Sequence, residues 1–464
     1  LRDPIPKERQ AIFNRGHKVG HLAQQLFPGG KDASPPKRFA FAESVAMTKR
    51  FIESGETVIY EAAFQHEQVL VLLDILVKRD DKWYAYEVKS SSRITPTYIK
   101  DAALQHWVIT NSGLPLEDFS IVYINKHYVR NGQLDLEQLY TKVSVLHKIL
   151  PKQEKIPQKV WEMKEVVFSD TMPKQPIGPH CSDPYDCDFR GFCWPKLPAH
   201  PIFELTGASR KEQFSMYAQG IDQIANIPDS VVLSREQKIQ KEAVVKGKPV
   251  IQKKPLQQFM KSLQYPLHVT DFEVFMPAIP LYNNTSPYQH LPFQYSILRL
   301  NDPQSEGHQT SFLAEAGEDP RGQFLALFLK DTAGDGSILG FDLTLEKSIL
   351  HKLADQFPEH EADIDDRIAR MKDLQSLFDD RAYYHPAMRG RFSLKHLIEA
   401  FAPEISEQNL MINNGRLASE AFTQLQTETD MFRAIDIREA LIAYCESDTR
   451  VMYHLLREIQ EAVA

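Results

Sequence analysis

A carboxylate stands inside an apolar run that suits only a buried strand. The run Val69-Leu-Val-Leu-Leu-Asp74-Ile-Leu-Val77 is interrupted by Asp74, and the next run, from Trp83 to Val88, ends in Glu87-Val88-Lys89. A lone charge on such a strand is costly unless it has a partner. Residues two apart on a strand share a face, so Glu87 and Lys89 project together and a neighbouring strand can bring Asp74 beside them. Glu61, in the preceding run Thr57 to Phe64, completes the expected ligand set. Carboxylates gathered in this way hold a hard divalent cation through oxygen. The lysine orients water or stabilises charge growing on a phosphate.

The apolar and polar spacing around this motif predicts an α/β layer. Helix is expected over Gly16–Phe27 and Tyr98–Thr110. Strands are expected over Thr57–Phe64, Gln68–Val77, Trp83–Val88 and Phe119–Asn125. Residues 134–170 read as mainly helical, and 202–262 as polar and helical in pieces. The Lys- and Gln-rich stretch Glu236 to Lys254 reads as a linker. A second α/β pattern starts at Leu267. It has strands at Leu267–Phe272, Phe293–Leu300, His308–Leu313 and Ser337–Phe341, and helices at Gly322–Lys330, Thr344–Phe357, Ser393–Phe401 and Ile437–Ala462.

That second pattern carries its own carboxylates. Leu267-His-Val-Thr-Asp271-Phe-Glu273 places two of them on one face of a strand. In Tyr444-Cys-Glu-Ser-Asp448, a helix puts Tyr444 and Asp448 on one face. Between them, at a strand-to-helix transition, lies Asp342-Leu-Thr-Leu345-Glu346. Two metal ions held this way activate water and steady the leaving oxygen of a phosphodiester. A nearby tyrosine positions that water.

Three of the four cysteines, Cys181, Cys187 and Cys193, fall in one short segment rich in Pro, Asp and Gly. Such turns wrap a metal centre, and three thiolates suit zinc or an iron–sulfur cluster. Cys445 reads as a small core residue. A chain of 464 residues with four cysteines does not suggest a disulfide scaffold. No stretch approaches the roughly 18 apolar residues of a membrane span, and the polar start, Leu1 to Gln10, has no signal-peptide character. The expected compartment is the cytoplasm. Residues 1–264 carry roughly +7 and the remainder roughly −15, for a net charge of −8. A mildly basic front half suits a phosphate backbone. The acidic back half excludes indiscriminate coating of nucleic acid but suits metal sites.

Three resemblances follow from these motifs. Asp74, Glu87-Val88-Lys89 and Gln105 resemble the PD-(D/E)XK nucleases, in particular the RecB-like branch that includes CRISPR-associated exonucleases. The resemblance covers about residues 10–200. Ile109 stands where that branch usually has Tyr. The branch often supplies a histidine from its first helix, for which His21 is the candidate and His17 the alternative. It also implies a 4Fe–4S cluster on Cys181, Cys187 and Cys193, with zinc the second option. The fourth cysteine is not present upstream. Leu1 stands in place of Met, so an upstream segment is one source for it; the alternatives are that His180 ligates or that the site is empty or degenerate.

Asp271, Glu273, Tyr444 and Asp448 resemble the DEDD exonucleases of the ribonuclease H-like fold, in the DnaQ style. Glu346 is then the ligand from the middle motif and Asp342 the alternative, in a motif that has Asp and Leu345 where the family has Asn and Phe. The wider text of residues 265–464 resembles the DUF2779 proteins of bacteria, through Asp271-Phe-Glu, Leu291-Pro-Phe-Gln294-Tyr-Ser296, Asp373-Leu374, Tyr384-His385-Pro386, Ser393-Leu-Lys395 and Tyr444-Cys-Glu-Ser-Asp448. Asp373, His385 and Lys395 are further candidates for lining that site.

Together these imply a nuclease domain over 1–200, a helical connector over 201–262 and an exonuclease domain over 263–464. The implied cofactor is Mg²⁺ or Mn²⁺. The implied substrate is DNA or RNA, single-stranded or with free ends. The rival class is a nucleic-acid-binding protein with one degenerate nuclease site.

Overall fold

The computed structural model describes residues 2–401 and 410–464. The chain is mixed α/β and divides into two compact units. The first comprises 5–176 and 277–289. The second comprises the start of the chain through Pro4 together with 177–276 and 290–464. Among the described residues, no helix is long and apolar enough to cross a membrane.

The first unit is built on six strands in sequential order: β1 (Lys31–Asp32), β2 (Val58–His66), β3 (Val69–Arg79), β4 (Lys82–Lys89), β5 (Leu116–Ile124) and β6 (Tyr140–Ser144). The β2–β3 and β3–β4 pairs are antiparallel hairpins. The β4–β5 pair is parallel, because helix α3 (Pro96–Asn111) crosses between them. Thr95 caps α3 and Pro96 opens it, which explains its sharp start. One face of the sheet packs under α3 and α2 (Phe41–Glu53), through Ile59, Leu73, Ala85, Ala103 and Phe119. The other packs under α1 (Lys7–Ala23) through Val19, Ala23, Ile75 and Val122.

Two expectations change here. Helix α1 begins nine residues earlier than the periodicity predicts. Residues 140–144 form the edge strand β6 within a stretch expected to be helical. Its alternation of half-buried and exposed residues is short, and its pairing with β5 is decided by the sheet rather than by local pattern.

The second unit has five strands in the order β10-β9-β8-β11-β12, with β8 (Leu267–Phe275) in the middle. Strand β9 (Leu291–Leu300) pairs antiparallel to β8, and β10 (His308–Leu313) antiparallel to β9. On the other side, β11 (Ile338–Gly340) and β12 (Met371–Asp373) run parallel to β8 and to each other. The even face of β8 is sealed by aromatic rings. Phe272 meets Phe324 and Phe328 of helix Pro320–Asp331 edge-on, at 5.0 and 4.9 Å. The odd face, which carries Asp271 and Glu273, lies under helix Gly415–Leu425 and the long C-terminal helix Met431–Val463.

Phe422 anchors the first of these helices. It is fully buried, stacked on Phe293 at 4.1 Å and edge-on to Phe275 at 4.9 Å. Strand β9 makes room by a register shift opposite Glu273 and Val274, which leaves Phe293 as the extra residue.

The stretch expected as a linker is packed structure. Helix Arg235–Lys246 starts on a Ser234 capping box and ends at Gly247 in the left-handed conformation. Its Gln240 is fully buried. That side chain accepts from the Thr206 main chain at 3.0 Å and donates to the Glu204 carbonyl at 2.8 Å. Next comes the short strand β7 (Val250–Ile251), which pairs with β13 (Tyr383–Tyr384). The connector and the cysteine segment therefore belong to the second unit, which moves the expected boundary at residue 200 back to Ile177. Conversely, the β8–β9 connection, Pro277–Gln289, belongs to the first unit. Tyr288 there donates to the Ser90 carbonyl at 2.5 Å, and Arg130 donates to the carbonyls of Pro280 and Leu281 at 2.9 and 2.7 Å.

Phe422→Ala should destabilise the second unit by about 3–5 kcal/mol, the cost of a large cavity at a fully enclosed ring. Urea unfolding followed by circular dichroism checks this. A loss under about 1 kcal/mol would mean that the helix is not held by this ring.

Candidate metal centres

In the first unit, antiparallel registers bring three carboxylates to one level. Tyr60 pairs with Ile75 and Ala62 with Leu73, so Glu61 stands opposite Asp74. Ile75 pairs with Tyr86, so Asp74 also stands opposite Glu87. The ladder is broken at the Glu61 position, where φ is +52°. Asp74 replaces a ladder contact with its side chain: its Oδ2 accepts from the Val88 amide at 2.6 Å.

The lysine is close by. Lys89 Nζ donates to Glu87 Oε1 at 2.8 Å and to Asp101 Oδ2 at 2.6 Å, and sits 5.2 Å from the Tyr98 ring centre. Glu87 Oε2 is buried without a hydrogen-bond partner. Burial drives Asp74 well above the usual carboxylate range, and Glu87 and Glu61 add repulsion. Burial also raises Glu87, against the pull of Lys89 and the Gln105 amide. Glu61 is pushed up to about 7 by burial, Asp32 and Glu87. Lys89 is held well above its ordinary value by Glu87 and Asp101, which outweigh its burial.

The sequence reading missed Asp101 and Asp32. Asp101 was findable, since it precedes Gln105 by four on α3 and therefore shares its face. Ile109, where a tyrosine was expected, is fully buried core. His21 and His17 are exposed on α1. Neither joins these carboxylates in a group with all ligand atoms within 4.8 Å.

The second unit brings together residues far apart in sequence. Asp271 and Glu273 come from β8. Glu346 comes from the first turn of helix Thr344–Gln356. Tyr444 and Asp448 come from one face of the C-terminal helix. The helix is tied to the sheet by the residues that pair with the two strand carboxylates. Ser296, opposite Asp271, hydrogen-bonds Thr449 at 3.1 Å, and Gln294, opposite Glu273, donates to the Leu441 carbonyl at 2.9 Å. Ser311 on β10 adds a bond to Glu446 at 2.8 Å.

Burial raises Asp271 well above its ordinary range, and Asp448, Glu273 and Glu346 repel it further. Glu273 is raised in the same way by burial, Asp448 and Glu346. Glu346 reaches about 7, mainly through burial, and its Oε2 has no hydrogen-bond partner. Asp448 reaches about 7 through burial, with the Tyr444 hydroxyl acting in the opposite direction. Tyr444 is itself raised by burial and by Asp448, Glu273 and Asp271.

Asp342, the alternative to Glu346, is exposed. Its amide and that of Leu343 donate to the two oxygens of Asp373, at 3.0 and 3.3 Å. Asp373 therefore shapes the turn that launches the Glu346 helix. His385 is also structural, since its Nδ1 accepts from the Ala387 amide at 3.1 Å. Lys395 lines a cavity of about 630 Å³ beside Tyr444 and Asp448, with Arg450 and His454 on the same wall. Cys445, read as a core residue, is fully buried, and its sulfur also reaches the site: it lies 3.7 Å from Asp271 Oδ2.

Several buried carboxylates whose main neighbours are one another, one with an orphaned oxygen, form a donor set that fits hard divalent cations. Among the described residues, Asp271, Glu273 and Cys445 are the one His/Cys/Asp/Glu group of three or more with all ligand atoms within 4.8 Å. The sulfurs of Cys181, Cys187 and Cys193 are not so gathered. Cys181 is buried, with its sulfur 3.7 Å from His180 Nε2. The Cys187 amide bonds to the Cys181 carbonyl at 3.0 Å. The start of the chain lies on this segment: Arg2 pairs with Asp188 at 2.7 Å, and Asp3 accepts from the Gly191 amide at 2.9 Å.

Residues 268–393 match the family model described as "Domain of unknown function (DUF2779)". The matched stretch holds Asp271, Glu273 and Glu346 and ends before Tyr444 and Asp448. No curated protein matches the chain.

The Glu346 carboxyl titrates at about 7 in the folded protein and near 4.5 when unfolded, so folding tightens its hold on a proton. The stability this contributes is complete below about pH 4.5 and is lost as pH rises through about 7. In metal-free buffer, Glu346→Gln should exceed wild type in stability by on the order of 3 kcal/mol at pH 8 and by little at pH 5. Urea titrations at the two pH values read this out, and a difference that does not grow with pH would contradict the assignment.

Proposed function

We propose that this protein is a metal-dependent nuclease whose second unit removes nucleotides from a free end of DNA or RNA in the 3′–5′ direction. The observation that carries the reading is the convergence of Asp271, Glu273, Glu346 and Asp448, with Tyr444 beside Asp448. The order of the second sheet, with the carboxylate strand β8 at its centre and its neighbour β9 antiparallel, supports a ribonuclease H-like fold.

Mg²⁺ or Mn²⁺ held by these carboxylates would supply Lewis-acid stabilisation of the phosphodiester oxygens. The protein's own groups do the rest. Tyr444 orients the attacking water, and the Asp448 carboxylate holds the hydroxyl in place. Lys395 and Arg450, on the wall of the adjoining cavity, attract the phosphates of the entering strand, while Ile398 and Val451 offer it an apolar surface. A cavity of about 630 Å³ suits a terminal nucleotide better than a duplex.

The first unit supports a second nuclease reading of the RecB-like PD-(D/E)XK type. Glu61, Asp74 and Glu87 on adjacent strands would hold the cation, and Lys89 would steady the phosphate. Lys89 is engaged by Glu87 and Asp101, so cation binding would have to free it from Glu87. The same resemblance implies a 4Fe–4S cluster or zinc on Cys181, Cys187 and Cys193, but these cysteines fold with the second unit and their sulfurs do not all lie within 4.8 Å of one another.

Digestion of end-labelled single-stranded DNA and RNA with Mn²⁺ tests both units. Asp271→Ala and Asp448→Ala should each lower stepwise trimming by at least about 100-fold, and Lys89→Ala should leave trimming intact while abolishing any cleavage from the first unit. Unchanged trimming in the Asp271 and Asp448 variants would refute the second-unit assignment. Binding without cleavage in wild type would favour a nucleic-acid-binding protein. Lys395→Ala with Arg450→Ala should raise KM by about tenfold with kcat little changed, as expected when one or two phosphate contacts are lost.

A further inference from the structure

Cys445 is the residue of the second site that the proposed chemistry does not use, yet its sulfur is among the best placed. It lies 3.7 Å from Asp271 Oδ2 and 3.7 Å from the Asp271 carbonyl, and its reach extends to a Glu273 oxygen within 4.8 Å. A tetrahedral ion with a metal–sulfur bond of about 2.3 Å and a metal–oxygen bond of about 2.1 Å separates its sulfur and oxygen donors by about 3.6 Å. The Cys445 thiol donates to Asp271 Oδ2 over 3.7 Å, a separation close to that one, so a bound ion would need little movement of either group. A second observation lies close by, just outside this group of three. Glu346, 7% exposed, keeps Oε2 without any hydrogen-bond partner, and both Asp271 and Glu273 feel its charge.

We propose that Asp271, Glu273 and Cys445 form a mixed oxygen–sulfur site that selects a sulfur-accepting divalent ion of the zinc class over magnesium. The inference rests on the cation-binding part of the function proposed above, not on the nuclease reaction. Magnesium demands oxygen donors and gains nothing from a thiol. Zinc, cobalt and cadmium accept both kinds. On binding such an ion, the sulfur–hydrogen bond is replaced by a metal–sulfur bond and the proton leaves to water. With magnesium, the thiol keeps its proton and remains a weak donor to Asp271. A zinc-class ion seated there occupies Asp271 and Glu273 and competes with Mg²⁺ for them.

The test uses the full chain stripped of metal and titrated with Co²⁺, a spectroscopic stand-in for Zn²⁺. Wild type should show near-ultraviolet sulfur-to-cobalt charge-transfer absorption. Part of that absorption should vanish in both Cys445→Ser and Asp271→Asn. Absorption from Cys181, Cys187 and Cys193 is independent of Asp271, so the component lost in both variants belongs to the mixed site. Calorimetric competition should show the Zn²⁺ preference over Mg²⁺ falling by roughly tenfold or more in Cys445→Ser. Equal spectra in wild type and both variants, or an unchanged preference, overturn the proposal. A wild-type protein that binds Co²⁺ in this way but trims no nucleic acid leaves the ion site standing and removes the nuclease reading. Trimming without the shared band does the reverse.

Discussion

Repulsion among buried carboxylates shapes both units. In water each carboxylate would be ionised, but inside the fold every oxygen without a donor raises the cost of its charge. The second unit gathers Asp271, Glu273, Glu346 and Asp448 where burial opposes ionisation of all four and neighbouring carboxylates add repulsion at Asp271, Glu273 and Glu346. The surrounding structure must hold this arrangement in place. The aromatic stack of Phe422 on Phe293 closes one side. The hydrogen bonds from Ser296 and Gln294 close another, and they start from the residues paired with Asp271 and Glu273. The C-terminal helix is thus secured at the level of the strand carboxylates.

The first unit answers the same problem differently. Its three carboxylates sit on consecutive strands, and the β2–β3 ladder yields at Glu61, where the backbone turns to a positive φ. Lys89 supplies the compensating charge, shared between Glu87 and Asp101. That one lysine offsets only part of the negative charge, and Asp74 and Glu61 remain raised by burial and by their carboxylate neighbours. In the second unit, no lysine or arginine pairs with Asp271, Glu273, Glu346 or Asp448 among the ion pairs of the described residues.

Chain connectivity interleaves the units. The cysteine segment and the helical connector fold with the second unit, while the β8–β9 connection folds with the first. The stretch Glu236 to Lys254 reads as linker from its Lys and Gln content only when its exposed face alone is counted. Gln240 shows the error: a polar residue in a charged helix is fully buried because Thr206 and Glu204 satisfy its amide. The same holds for β6, where five residues with weak local preference become a strand because β5 offers an open edge.

By itself the sequence determined whatever depends on covalent periodicity. The two-residue repeat of a strand put Glu87 with Lys89 and Asp271 with Glu273 on common faces, and the helical repeat joined Tyr444 to Asp448. Most strands and helices of both units follow from that spacing. Only the tertiary structure decided which faces meet. Asp101 reaches Lys89 because α3 crosses over the sheet. Asp373 accepts from the turn before the Glu346 helix, and its charge reaches Glu346, because β12 lies beside β11. Cys445 becomes a neighbour of Asp271 across 174 positions because the last helix lies along the carboxylate face of β8. A residue's own spacing does not carry such contacts, since they depend on strand order and packing across the whole unit.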